Sequence, residues 1–109
     1  MTDRELLELA AKAAGYEIEV DQYEVIYYHE GSGPQSWAIW NPLTCDGDAL
    51  RLAVQLRLMI AWDRWNDNDY VCIRHRDLGE EIGIQIDQNP EKTARRAIVM
   101  AAAEIGSAM

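Results

Sequence analysis

The chain reads as an α+β fold in which three helices cover a mostly antiparallel sheet, an α-β-α sandwich in the order α-ββ(β)-α-ββ(β)-α. Three observations predict it. Stretches with an apolar helical face stand at residues 3–14, after Pro42, and at 90–106. Between them lie segments rich in Ile, Val, Tyr and Trp, which suit extended chain. The turn-forming runs GSGP and NDND divide those segments, so the strands are joined as hairpins and pair antiparallel. With 109 residues there is material for one core, and the whole of 1–109 forms a single domain.

Helix one is predicted over about 3–14. Thr2 and Glu5 form a capping box, Leu6, Leu7, Ala10, Ala13 and Ala14 share a face, and Gly15 stands where a C-terminal cap belongs. From Tyr16 the chain turns to YEIEV and YEVIYYHE, and after GSGP at 31–34 SWAIW follows, so 23–29 and 36–40 pair as a hairpin. Pro42 removes a backbone donor and disfavours helical geometry at Asn41, so helix two begins a few residues later. Ala49, Leu50, Ala53, Val54 and Leu56 are assigned to its buried side, with Arg51 and Gln55 on the other. The apolar run LMIAW at 58–62 fits either a longer helix or a new strand; the strand is preferred, because a continued helix buries Arg57. YVCIRH (70–75) and IGIQID (82–87) are strands, the second half exposed to water. Asn89 then caps helix three, Pro90 occupies its first turn, Ala94, Ala97, Ile98, Ala101 and Ile105 form a stripe, and Gly106 is expected to end it. This helix is apolar nearly all round after Ala97, as one covered on a second side would be.

Composition narrows the function classes. Ten Lys+Arg against nineteen Asp+Glu give a formal charge of −9, a mean field that repels nucleic acid and anionic lipid, so direct nucleic-acid binding is not expected. No apolar run approaches the roughly 18 residues of a membrane span, and MTDRELLELAAKAAG opens with charges rather than a leader's apolar segment. A cytosolic location without membrane contact is expected. Cys45 and Cys72 lack CxxC spacing and read as thiols, not as zinc ligands with His29 and His75. No metal or cofactor is expected.

WNPLTCDGDALRLAVQL at 40–56, an extended middle, and TARRAIVMAAAEIG at 93–106 resemble the small phage and prophage proteins that carry the phage ABA-sandwich domain. MTDRELLELAAKAAG is similar in style. The resemblance implies a sheet between helical layers and a bacteriophage or integrated-prophage setting, hence the cytoplasm of the infected bacterial host. It implies no catalytic motif.

The residues themselves agree on the last point. GxSxG, HExxH, P-loop and glycine-rich dinucleotide signatures are missing, and the pair Cys72 and His75 sits three apart on a predicted strand, where side chains point to opposite faces. Asp46 and Asp48 suit the N-terminus of helix two, where carboxylates accept backbone N–H bonds and complement the helix dipole. Scarce positive charge is the better clue. Arg74 and Arg76, with Arg51, Arg95 and Arg96, are candidates to grip a phosphate, while an indole such as Trp40 or Trp65, or Trp37 or Trp62, stacks on a base. Pairing of these arginines with Asp77, Glu80 and Glu81 is the structural alternative. The leading expectation is a non-enzymatic accessory or anti-defence protein that sequesters a small nucleotide-type ligand, alone or as a homo-oligomer. The alternatives are an acidic inhibitor of a host or defence protein, presenting Asp63, Asp67 and Asp69 as a nucleic-acid mimic, and an accessory protein without a ligand.

Overall fold

A computed structural model describes residues 1–29 and 37–109. The predicted turn at 31–34 and the start of the predicted strand at 36 lie outside the described residues. Three helices and two three-stranded antiparallel sheets follow one another in the expected order.

Helix α1 spans Asp3–Ala14. Thr2 Oγ1 accepts the Glu5 N–H at 3.1 Å and the Glu5 carboxylate reaches back to Thr2, while Gly15, at φ 77°, closes the helix in the left-handed region that glycine enters without a Cβ clash. Strands β1 (Glu17–Val20), β2 (Ile26–His29) and β3 (Ala38–Ile39) form the first sheet in that order, with Ile18 opposite Tyr28 and Tyr28 opposite Ala38. Tyr28 lies within 6.0 Å, ring to ring, of Tyr16 and of the buried Trp40, so an aromatic cluster anchors the sheet to the core.

Helix α2 is Asp46–Leu56. Its buried face is Asp48, Ala49, Leu52 and Ala53, whereas Leu50 and Val54 point to solvent, contrary to their assignment from the sequence. At 100° per residue the stripe 49, 52, 53, 56 spans about 100° with Ala49 and Leu56 near its middle, and residues 50 and 54 lie about 60° and 100° beyond its edge. Arg57 stops the helix at φ 59°, and the Leu58 N–H turns back to the Ala53 carbonyl at 3.0 Å. The apolar run after it is therefore a strand, as preferred.

The second sheet is β4 (Met59–Trp65), β5 (Asn68–Arg74) and β6 (Ile82–Gln85), in that order. Since residues opposite one another share a face, Ile60, Trp62, Val71, Ile73, Ile82 and Ile84 line one side, and Met59, Asp63, Trp65, Tyr70, Cys72, Arg74 and Gly83 the other. Val71 and Ile73 are fully buried under α3 (Pro90–Ser107). Asn89 caps that helix by accepting the Lys92 N–H at 3.0 Å.

Gly106 does not end α3 as expected; the helix runs to Ser107 and is capped by Ala108. A Cβ on Gly106 would stand 2.0 Å from the Leu9 carbonyl oxygen, so glycine is needed there because the backbones of α1 and α3 touch. Ala102, one turn before Gly106 on the same side of α3, has no exposed surface. Packed against α1, α2, β5 and β6, α3 is covered on more than one side. Among the described residues no helix is long and apolar enough to cross a membrane.

Candidate basic hollow

Where α2 ends and β5 ends, the chain gathers positive charge. The left-handed turn at Arg57 sends β4 back alongside β5 with Met59 opposite Arg74, which sets the guanidinium of Arg57 beside the exit of β5. Leu56, Arg57, Met59, Arg74, His75 and Arg76 together line a hollow of about 650 Å³, within the usual size range of small-molecule pockets.

Neighbouring acids hold two of its three arginines. Arg74 donates from Nε to Glu81 and lies 3.7 Å from Asp63, and the hydrogen bond to Glu81, followed by that carboxylate's charge, raises its pKa further above the usual value. Arg76 Nε is 3.8 Å from Asp77 with its side chain almost wholly exposed. The half-buried His75 accepts the Asp77 N–H through Nδ1 at 3.0 Å. Arg57 makes no ion pair among the described residues, alone of the arginines. Exposed pairs such as Arg76–Asp77 contribute only about 0–1 kcal/mol each, so an anion entering the hollow can displace the acid.

The structure does not bring the other predicted residues here. Arg51 donates to Asp48 at 2.7 Å, the bond that most raises its pKa, and Asp48 also accepts the Asn41 N–H at 2.9 Å. The carboxylate at 48 thus ties the loop to the helix, a structural role. Arg95 bonds the Leu43 carbonyl at 2.8 Å and Asp46 at 2.6 Å, clamping α3 to the start of α2, and Arg96 reaches Asp3 at 3.3 Å. Trp40 is only 1% exposed and packs edge-on against Tyr16. Trp37 packs on His29. Trp65 stands on the far end of β4, beside Asp63, Tyr70 and Cys72. What the sequence reading missed is Arg57, treated there only as a reason to end helix two. The expected pairing of 58–62 with 70–75 could have placed it next to Arg74.

A second cluster lies on the open face of the same sheet. The side-chain ligand atoms of Asp63, Cys72 and Glu81 lie within 4.8 Å of one another. The guanidinium of Arg74 already reaches both carboxylates, and burial, with the two carboxylate charges behind it, pushes the Cys72 thiol up, away from the thiolate a metal would need.

Comparison with protein-family models, with curated proteins and with solved structures finds no match to this chain.

Proposed function

We propose that this chain is a non-enzymatic phage accessory or anti-defence protein that works in the cytoplasm of an infected bacterial host by binding and sequestering a small nucleotide-type ligand. The observation that carries this reading is the convergence of Arg57, Arg74 and Arg76 with His75 on one hollow in a chain of net charge −9. Three guanidiniums there offer forked donors matched to phosphate oxygens, and Leu56 and Met59 supply an apolar wall for a base or sugar. The resemblance of 40–56 and 93–106 to phage ABA-sandwich proteins supplies the setting.

Thermal denaturation with a panel of cyclic and linear nucleotides tests it. A ligand at a hundred times its dissociation constant adds about 2.7 kcal/mol, a shift of roughly 10 °C or more for a domain of this size. Arg57→Ala with Arg76→Ala, which leaves the Arg74–Glu81 pair in place, should abolish the shift. No shift with any nucleotide at saturation contradicts the reading. It would favour the acidic inhibitor, which the exposed Trp65 and Asp63 on one face of β4, with Asp67 and Asp69 exposed nearby in the sequence, support.

A further inference from the structure

We propose that two copies of this chain pair along β4, antiparallel about a two-fold axis at Trp62, and that each copy's Trp65 covers the other's basic hollow. Three observations carry the pairing. First, β4 is a seven-residue strand bonded only to β5 among the described residues, so its other edge offers unpaired backbone donors and acceptors. It carries no proline or lysine, and its two charges, Asp63 and Arg64, are of opposite sign.

Second, the large side chains around it are in water. Trp62 is 60% and Trp65 69% exposed, Met59 is exposed alike, and Leu50 of α2 stands beside Trp62 on the helical side of the sheet. They flank the free edge on both faces, Trp62 on the helical side and Met59 and Trp65 on the other, and offer on the order of 500 Å² of apolar surface per copy, about 1,000 Å² for a pair that covers all of it, the lower bound of a biological interface.

Third, charge complementarity selects the partner and the register. Centring the pairing on Trp62 matches all seven residues: Met59 with the partner's Trp65, Ile60 with the partner's Arg64, Ala61 with the partner's Asp63. Just beyond the strand ends, Arg57 then meets the partner's Asp67. Both are exposed, and neither has an ion-pair partner among the described residues of its own chain. Centring on Asp63 instead would set that carboxylate against itself, which is unfavourable.

The pairing also brings the partner's Trp65 next to Met59, which lines the hollow and lies opposite Arg74 on the same sheet face. An indole would then face the guanidiniums across the ligand space. This covering role rests on the proposed ligand; the pairing does not.

Light scattering over graded concentrations should show a mass rising from one chain to two and no further. Arg57→Glu and Asp67→Arg should each weaken association at least tenfold, and the double swap should restore it. In a Cys45→Ser background Trp62→Cys should cross-link into a dimer, since paired Cα atoms about 4.5–5.5 Å apart suit a disulfide. Gln85→Cys, on the opposite edge strand, should not. A single-chain mass throughout, a double swap no better than either single change, or equal cross-linking at 62 and 85 overturns the pairing. Within the cross-linked dimer, Trp65→Ala should weaken the binding of AMP more than that of inorganic phosphate; equal effects overturn the covering role. If the dimer forms and neither probe binds, the proposed function fails while the interface stands.

Discussion

The α1–α3 seam and the β4 edge use apolar residues in opposite ways. In the seam, alanines and Gly106 are small enough for two helices to meet backbone to backbone, and the apolar residues there are buried or, like Leu9 and Ala13, partly buried. Along β4 the largest side chains in the chain, two of its tryptophans, stand mostly exposed. A monomer with two of its indoles outside along β4 and small residues inside has closed its own core at the seam and left the second surface open to something else.

The same residue type should therefore behave differently on the two sides. Trp40→Ala removes a fully buried ring from the Tyr16–Tyr28 cluster and is expected to cost about 3–5 kcal/mol in denaturant unfolding. Trp62→Ala should change the stability of the dilute chain by no more than about 0.5 kcal/mol, because surface substitutions that break no packing rarely do more. Comparable losses at the two sites would erase the contrast.

Gly106→Ala is next in size. Its Cβ meets a backbone carbonyl rather than a flexible side chain, so α1 and α3 must separate, at roughly 3 kcal/mol. A neutral result by thermal melting would mean the seam is looser than described.

The smallest effect is a pH dependence outside both regions. The Asn89 N–H, then the Thr93 hydroxyl, hold Asp87 below the usual carboxylate range at the entry to α3. A depressed carboxylate contributes stability that is complete above its unfolded pKa, about 3.9, and is lost as pH falls through the lower folded value. Asp87→Asn should flatten that acid limb of the stability curve and leave the curve unchanged in shape near neutrality.

Much of the fold was legible because its signals are local. The Thr2–Glu5 box, Gly15, Pro42 and the Asn89–Pro90 pair each act within a turn of the chain, and helix and strand limits followed from them. Gly106 misled because a C-cap glycine and a close-approach glycine are identical in sequence; only the position of Leu9 tells them apart. Leu50 and Val54 misled because an apolar residue one step off a stripe is indistinguishable from one within it until the covering helix is placed. The hollow was half legible: Arg74 and Arg76 announced themselves as RHR, but Arg57 joins them only through the β4–β5 register. Arg95 and Arg96 were drawn off to acids and a carbonyl distant in sequence, whereas Arg51 was drawn off to Asp48 one helical turn away.

Native-state hydrogen exchange at low and high protein concentration tests the contrast most directly. Residues 59–65 should gain more protection than α1 and α3 as concentration rises, since α1 and α3 follow only the global stability that association adds, and residues 59–65 should lose that extra gain on Arg57→Glu. Protection of 59–65 that is independent of concentration, or that rises only as much as that of α1 and α3, would contradict the account.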